Sequence, residues 1–267
     1  MILETLIVPA AGAAAFAGLK LHKARIYRRL QASHSLIARE YGATLGLPSV
    51  LPDVLPDFAR HFAAMPDCLP EWSIASLTEA AERFLDTERS YVPGHKQGGT
   101  IAYETLHETA PEIVAFFQSD YLRQLCSAVV GRAVVPTPVN DQSSCSLLVY
   151  DRPRDHIGWH YDHNFYNGRH FTVLVALINR HRTTGGLSSA RLLARLNGQD
   201  TEIPTPPNTL VMFEGNRVLH KVTPLEHEEL RVMLSMTFCT DPRASAFKGA
   251  LRRVKDIAFF GPRALWS

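Results

Sequence analysis

The sequence lacks several features that would place the chain in a specialised structural class. Its 267 residues include only four cysteines, none of them in a CxxC pair: Cys68, Cys126, Cys145 and Cys239. This spacing excludes a zinc ribbon and does not suit a disulfide scaffold, so it favours a reducing, cytoplasmic compartment. Basic and acidic residues nearly balance, at 28 against 26. No overall charge therefore attracts nucleic acid, and no nucleic-acid partner is expected.

The sequence also lacks an apolar run long enough to predict a membrane span. Residues 6–19 read LIVPAAGAAAFAGL, with Pro9 inside the run, whereas a spanning helix needs about 20 apolar residues. The basic run KLHKARIYRR follows this segment, which reverses the order of a cleavable signal. Two interpretations stay open, namely contact of residues 1–30 with a membrane surface or the apolar start of a packed helix.

The first half of the chain is predicted to be mainly helical. Residues 12–42 lack proline and are rich in Ala, Leu and Arg, which favours one long helix. The segment LPSVLPDVLPDF, residues 47–58, contains three prolines and predicts a connector. We therefore divide this half into an N-terminal helical segment, residues 1–45, and a helical support region beside the substrate, residues 46–135.

Local signals predict two helices and a loop in the support region. Ser76 and Glu79 have the spacing of a capping box, which predicts the start of a helix. Pro111 and Gly131 flank a segment with helical periodicity, and proline at the start with glycine at the end is the expected order. The segment YVPGHKQGGT, residues 91–100, is predicted to be a loop.

After Gly131 the apolar residues recur with a period of two. The runs that indicate strands are CSLLVYD, GWHYD, FTVLVALIN, ARLLARL, NTLVMFEG, RVLHKV and LRVMLSMTFCT. Strands at this spacing predict an α+β protein whose core, residues 136–242, is an antiparallel sandwich or a jelly roll flanked by the N-terminal helices. The tail, residues 243–267, predicts a C-terminal helix whose basic face meets solvent. The apolar stripe expected to pack on the sheets is Phe247, Leu251, Val254 and Ala258.

One predicted strand carries residues that suit a metal site. His160 and Asp162 are two apart, so on a strand they face the same side. Trp159 and Tyr161 face the other side, where we expect them to pack against the outer helices. Strands of a jelly roll turn one face into the barrel, where a metal can bind. A His-x-Asp pair alone is a weak motif, so a third ligand is needed.

A second pair of strands supplies a candidate third ligand. Glu226–Glu229 has the length of a hairpin loop, which would pair His220 with Ser235. In that hairpin, His220 and Arg231 share one face and lie about 13 Å apart along the strands. A metal-bound five-carbon diacid with an extended guanidinium fills such a distance. Arginine suits the far carboxylate because its fork is bidentate and always charged.

Polar residues near this motif are expected to have ordinary structural roles. His156, His163 and His170 lie close to it in sequence, and a surface or loop position is the expectation for each because histidine is often only partly buried. Asn179 follows an apolar run and is expected to be a turn residue at the end of a strand.

The combined motifs resemble a known family. Two histidines and one carboxylate leave three adjacent positions on an octahedral metal, the arrangement of non-haem iron(II) oxygenases. From about Ser143 to Cys239 the sequence resembles the iron(II)- and 2-oxoglutarate-dependent dioxygenases, especially their prolyl-hydroxylase-like branch. The matching segments are LLVYDRPRDHIGWHYD, FTVLVALIN, TTGGLSSARLL and NTLVMFEGNRVLHKVTPLEHEELRVMLSMTF.

The resemblance implies a double-stranded β-helix and a set of binding residues. Fe(II) is expected to bind His160, Asp162 and His220, and the co-substrate 2-oxoglutarate is expected to bind Arg231 and Tyr150. Ascorbate is a candidate additional cofactor, and no catalytic side chain beyond the metal ligands is implied. Prolyl hydroxylases proper usually have lysine where Arg231 stands. Many relatives have a small polar residue where this chain has Met233, so its carboxylate pocket is expected to be completed differently.

The resemblance also implies an activity. The expected reaction hydroxylates an unactivated C–H bond of an organic substrate with O2, and releases succinate and CO2. A lipid, a small metabolite and a protein side chain all stay open as substrates. The alternative is a non-catalytic metal-binding jelly-roll scaffold or sensor. A zinc hydrolase is disfavoured because HExxH and GxSxG are both absent from the sequence.

Overall fold

The computed structural model of the chain describes residues 2–85, 89–92 and 95–260. The helices are α1 Ile2–Gly42, α2 Glu71–Glu82, α3 Tyr103–Thr109, α4 Pro111–Phe117, α5 Asp120–Val130 and α6 Ala246–Phe260. The strands are β1 Phe62–Met65, β2 Arg89–Val92, β3 Lys96–Ile101, β4 Val135–Pro136, β5 Cys145–Tyr150, β6 His156–His160, β7 His170–His181, β8 Leu192–Leu196, β9 Gln199–Ile203, β10 Leu210–Glu214, β11 His220–Val222 and β12 Glu229–Cys239.

The strands form one antiparallel sheet that curls into a nearly closed barrel. Its order is β1-β10-β7-β12-β5-β3-β6-β11-β8-β9, with β2 added to β3 and β4 added to β12. Because β3 pairs with both β5 and β6, it joins the two halves of the jelly roll at one edge. The predicted fold class, a jelly-roll core flanked by helices, is confirmed. The sheet also includes β1, β2 and β3, which precede the predicted core of residues 136–242.

Each long strand separates an outer core from the barrel interior. Along β12, Val232 and Leu234 pack into the apolar cluster beneath the helices, whereas Met233 packs into the interior cluster. This alternation follows from the period of two in a strand. Arg231 lies between two residues that face outward, so its side chain faces the barrel interior.

The helices cover the outer face of the sheet and differ in detail from the prediction. The long helix predicted for residues 12–42 is confirmed within α1. The single helix predicted from Pro111 to Gly131 is instead two, because the Ser119 hydroxyl accepts a hydrogen bond from the Leu122 amide at 3.2 Å and starts α5. Gly131 ends α5 with a left-handed φ of 69°, as predicted.

Two other local predictions for this region are wrong. Helix α2 begins at Glu71 after Pro70, so Ser76 and Glu79 lie inside it and form no capping box. The segment 91–100, predicted as a loop, contributes most of the β2–β3 hairpin. Its glycines and proline hide a strand that forms because β5 and β6 supply hydrogen-bond partners on the other side.

The N-terminal segment belongs to α1. None of the helices in the described part of the chain combines the length and apolar character needed to cross a membrane. Contact of residues 1–30 with a membrane surface stays a prediction.

Helix α6 forms where predicted but turns the opposite face to the barrel. Three of the four apolar residues that were expected to pack are exposed, namely Phe247, Leu251 and Val254, and the side chain of the fourth, Ala258, lies outside the described ones. Arg252 and Asp256 are buried instead. Lys255 lies 3.1 Å from the Asp141 carboxylate, and Arg252 donates a hydrogen bond to the Tyr166 hydroxyl at 3.3 Å. Ionic contacts therefore hold this helix, and the predicted orientation is wrong.

Candidate functional site

The structure brings His160, Asp162 and His220 together. Because β6 and β11 are antiparallel neighbours with His160 opposite His220, the two rings lie 4.1 Å apart between centroids. The Oδ1 atom of Asp162 lies 3.5 Å from Nε2 of His160 and 4.0 Å from Nε2 of His220. Among the residues that the structure describes, this is the group whose ligand atoms lie close enough together to hold a metal ion.

Backbone contacts orient both imidazoles. Nδ1 of His160 lies 2.8 Å from the Gly158 carbonyl, and Nδ1 of His220 lies 3.0 Å from the Val218 carbonyl. Each Nδ1–H donates to that oxygen, which leaves the Nε2 lone pair directed at the carboxylate. Such a contact on the far nitrogen is a regular feature of metal-binding histidines.

Asp162 is not held by its own strand, contrary to the prediction of simple alternation. Strand β6 ends at His160, and the backbone at Asp162 turns away from it. The Asp162 amide donates to the Gly215 carbonyl at 2.9 Å. The Thr172 hydroxyl donates to Oδ2 of Asp162 at 2.5 Å. Residues on two other elements therefore place the carboxylate beside the histidines.

Burial and the neighbouring charges shift the pKa values of His160 and Asp162 toward the forms that bind a metal. Burial, and then the proximity of His220, lower the pKa of His160 to about 4. Burial would raise the pKa of Asp162, but His220, His160 and the Thr172 hydroxyl together bring it below its ordinary value. At neutral pH the site therefore offers neutral imidazole to a metal beside a carboxylate, the forms that bind one. Two nitrogens and one oxygen fit Fe(II).

Arg231 is a fully buried cation inside the barrel. Its side chain is 1% exposed, and its Nη1 donates to the Thr205 hydroxyl at 2.9 Å. No carboxylate of the described residues forms an ion pair with it, and its Nε has no hydrogen-bond partner there. Burial lowers the pKa of Arg231 to about 10, so the guanidinium stays charged at neutral pH. A buried charge without a counterion is suited to an anionic ligand.

Tyr150 stands beside Arg231 in the barrel interior, and the surroundings of these two side chains are called the Arg231 pocket below. The two residues are in register on the adjacent strands β5 and β12. Burial raises the pKa of Tyr150 to about 12, and its hydroxyl has no hydrogen-bond partner within the described residues. The phenol and the guanidinium can therefore donate to one carboxylate. Both residues were predicted to bind the co-substrate, and the structure places them together.

The hairpin that was predicted to join the strands of His220 and Arg231 does not form. Strand β11 pairs with β6 and β8, whereas β12 pairs with β5 and β7, so the two are not neighbours. The chain between them crosses from one half of the barrel to the other. His220 and Arg231 both face the interior, but from opposite walls.

Several polar residues that complete the Arg231 pocket were not predicted. Asn179 lies inside β7 in register with Arg231, so its prediction as a turn residue is wrong. Its amide donates to the Thr205 carbonyl at 2.8 Å and accepts from the Ser188 hydroxyl at 2.6 Å. Thr205 thereby supplies a hydroxyl group to the pocket, which the Met233 side chain cannot do. Strand register places Asn179 beside Arg231, Thr205 and Ser188 come from segments between strands, and no motif marks any of them.

Lys96 is a second cation of the barrel interior that the sequence did not reveal. It is 2% exposed and lies in register with Ile157, which packs into the interior cluster. Its Nζ donates to the Thr100 hydroxyl. Burial lowers the pKa of Lys96 to about 8. Because the segment was predicted to be a loop, its side chain had no predicted direction.

The residues around the metal ligands differ from expectation in part. His170 is 5% exposed, and its ring stacks on that of Tyr166 at 5.9 Å, so a surface position is wrong for it. His163 is exposed, as predicted. Tyr161 is 49% exposed and so does not pack against the outer helices, and two cations of neighbouring strands lie over the ring of Trp159. The cations over the Trp159 ring are Arg195 at 5.1 Å and Lys221 at 4.8 Å.

Comparison with known proteins shows the fold. No protein-family model and no curated protein matches the sequence. The structure is similar to AviO1 from Streptomyces viridochromogenes Tue57, with 19% identity, 77% of this chain and 97% of that chain covered, and a TM-score of 0.54.

Two further solved structures are similar at the same level. One is SnoN, a non-heme alpha ketoglutarate dependent epimerase from nogalamycin biosynthesis, at 14% identity, 72% and 83% coverage and a TM-score of 0.56. The other is a 2OG-Fe(II) oxygenase family oxidoreductase from Burkholderia pseudomallei, at 13% identity, 70% and 88% coverage and a TM-score of 0.53. The chain therefore has the double-stranded β-helix fold of these proteins.

Proposed function

We propose that the chain is an Fe(II)- and 2-oxoglutarate-dependent dioxygenase. The observation that carries this proposal is the buried Arg231, which faces the same interior as the cluster of His160, Asp162 and His220 and has no protein counterion among the described residues. A metal site and an anion site in one barrel match a co-substrate that chelates a metal at one end and carries a carboxylate at the other. Two of the similar structures are described as 2-oxoglutarate-dependent proteins, which supports the proposal.

The three ligands would hold Fe(II) and leave three adjacent positions for other groups. When bound, the iron supplies the reduction of O2 coupled to decarboxylation of 2-oxoglutarate to succinate and CO2. The protein contributes ligand geometry: the backbone carbonyls keep both imidazoles oriented, and the low pKa of His160 keeps that ring unprotonated.

The Arg231 pocket would bind the distal carboxylate of 2-oxoglutarate. Its guanidinium and the Tyr150 hydroxyl donate to the carboxylate, and Thr205 fixes one arm of the guanidinium. The apolar side chains around it exclude water, which strengthens the charged hydrogen bonds. These side chains include Leu174, Ala176, Val211 and Met233. Lys96 adds a second positive charge to the interior.

The organic substrate would undergo hydroxylation of an unactivated C–H bond. The proposed reaction needs no side chain to act as a general acid or base on the substrate. We expect the barrel mouth and the helices beside it to determine whether the enzyme accepts a lipid, a small metabolite or a protein side chain as its substrate.

An anaerobic titration with Fe(II) and 2-oxoglutarate tests the proposal. The visible charge-transfer band of the ternary complex should require both additions and should be lost in His160→Ala. In Arg231→Met the affinity for 2-oxoglutarate should fall by about 100-fold, because the distal carboxylate loses its buried charged partner.

A matched control is Arg180→Met, because Arg180 lies on the neighbouring strand β7 but is half exposed. This variant should bind 2-oxoglutarate like the wild type. Folded, iron-loaded protein that gives no band with 2-oxoglutarate would overturn the assignment. An equal loss of affinity in both arginine variants would show that the effect is not specific to the pocket.

A further inference from the structure

The carboxylate ligand occupies an unusual position for a residue in a β-barrel. Both histidines lie on strands, but Asp162 follows the last residue of β6, so no strand ladder fixes the direction of its side chain. A carboxylate on an irregular segment can turn about two bonds and present either oxygen or both. Two other residues of this chain restrict it.

The first restriction comes from Gly215, which lies directly after β10. Its carbonyl accepts the Asp162 amide hydrogen at 2.9 Å. A Cβ at this position would lie 2.5 Å from Cβ of Asp162 and 3.0 Å from its Oδ2. Atoms of a real side chain do not approach so closely, so any residue other than glycine here would displace Asp162. Close approach of backbone to a functional group is a recognised use of glycine.

The second restriction comes from Thr172 on the interior face of β7. Its hydroxyl donates to Oδ2 of Asp162 at 2.5 Å, and the residue is 4% exposed. The other oxygen, Oδ1, is the one that lies 3.5 Å from His160 Nε2 and 4.0 Å from His220 Nε2. The Thr172 hydroxyl therefore engages Oδ2, whereas Oδ1 faces the two histidines and is available to a metal.

We propose that Thr172 and Gly215 are positioning residues that make Asp162 bind the metal through Oδ1 alone. Carboxylates bind metals through one or both oxygens. Two histidines with a bidentate carboxylate leave two positions on an octahedral ion, whereas a monodentate carboxylate leaves three. A chelating co-substrate and O2 together need three. This inference rests on the proposed function. It attributes the third open position to the Thr172 hydroxyl, which is not a ligand itself but keeps Oδ2 away from the metal.

The test uses Mn(II), whose bound water can be counted from the relaxation of water protons without any turnover. Wild-type protein with Mn(II) alone should hold about three water molecules on the ion. In Thr172→Val, which keeps the shape of the side chain but lacks the hydroxyl, Oδ2 becomes free to bind, and the count should fall to about two. Thr172→Ser restores the hydroxyl and should restore the count.

A neighbouring threonine provides the matched control. Thr237 lies opposite Thr172 on β12, and its hydroxyl bonds to that of Thr137 at 2.5 Å and not to Asp162. Thr237→Val should therefore leave the water count unchanged, although it also removes a buried hydroxyl. Thermal unfolding of the metal-free variants measures their stability separately, which identifies any purely structural effect.

Gly215→Ala tests the second residue. The added methyl group must push Asp162 away, so Mn(II) affinity should fall by about 10-fold or more, as for other residues that orient metal ligands. A Thr172→Val protein that binds Mn(II) with the wild-type number of waters overturns the role of Thr172, and unchanged affinity in Gly215→Ala overturns that of Gly215. Failure of the wild type to bind Mn(II) overturns the metal site itself, and with it the proposed function.

Discussion

The Arg231 pocket depends on a hydroxyl from a segment that carries no recognisable motif. The Thr205 hydroxyl is uncharged, but it accepts a hydrogen bond from the Arg231 guanidinium, which is buried away from water. Removing that hydroxyl leaves a buried donor unpaired and lets the guanidinium turn. A hydrogen bond to a charged group contributes about 1.5–3 kcal/mol.

We therefore expect Thr205→Val to lower the affinity for 2-oxoglutarate by about 10-fold or more, which is the equivalent of about 1.4 kcal/mol. Titration of the charge-transfer band at fixed Fe(II) measures it. Thr209→Val is the control, because Thr209 is equally buried but its hydroxyl has no hydrogen-bond partner within the described residues. Similar losses in the two variants would mean that Thr205 acts through packing alone.

Sequence spacing predicted the binding residues that belong to motifs and missed those that depend on register. His160, Asp162 and His220 follow from a short motif and a strand pattern, and the structure brings them together. Thr172 could have been placed on the interior face from the alternation in FTVLVALIN, because it shares that face with Leu174. Its contact with Asp162 could not, since that depends on where a non-strand segment turns.

Helix α6 shows how periodicity can identify an element and misplace it. The apolar stripe predicted a buried face, but Arg252 and Lys255 face the barrel instead, because Tyr166 and Asp141 offer them partners there. A buried polar group needs such a partner. The partners come from segments more than 80 residues earlier in the chain. A local pattern carries no information about them.

The contact between α1 and α3 predicts a dependence on pH. His34 of α1 hydrogen-bonds to the Tyr103 hydroxyl, and Ser33 lies 2.6 Å from His107 Nε2. Burial, then the charge of His107, lower the pKa of His34 to about 4. Burial and Arg29 lower that of His107, against a smaller effect of Glu108.

The unfolded chain therefore binds more protons than the folded one between pH 6.5 and about 4, so stability falls as the pH falls through this range. The midpoint of thermal unfolding of the metal-free protein should decrease accordingly. In His34→Gln, which does not titrate, the decrease should be smaller. His227→Gln, a change at an exposed histidine, should follow the wild type. An unchanged slope in His34→Gln would contradict this account.

Binding at the interior site should stabilise the whole fold. The ligands come from β6, β11 and the segment after β6, and the carboxylate pocket comes from β5, β7 and β12. A ligand at about 100 times its Kd adds about 2.7 kcal/mol to the free energy of unfolding. For a chain of this size that raises the unfolding midpoint by about 5–10 °C.

Scanning calorimetry with Mn(II) and 2-oxoglutarate, against a sample with a chelator, measures this shift. The shift should disappear in Asp162→Ala, because that variant lacks the carboxylate ligand. A shift of the same size in the variant would place the stabilising metal elsewhere on the molecule.

The whole architecture was easier to predict than the pairing of its strands. Period-two runs predicted an antiparallel sandwich or a jelly roll, and the structure has the fold of proteins with which it shares at most 19% identity among those compared. The predicted hairpin between His220 and Arg231 was wrong because a loop of suitable length does not show which strands it joins. Strand partners in a jelly roll are distant in sequence, so local patterns cannot select them.

The reversed orientation of α6 also affects how its motion could be observed. Denaturant slopes and the heat capacity of unfolding both increase with the apolar surface that becomes exposed. Since Phe247, Leu251 and Val254 are already in solvent, release of α6 from the barrel would expose little more of it. Neither quantity would register such a release. Hydrogen exchange at the α6 amides would register the release of α6. It would also distinguish that release from unfolding of the barrel itself.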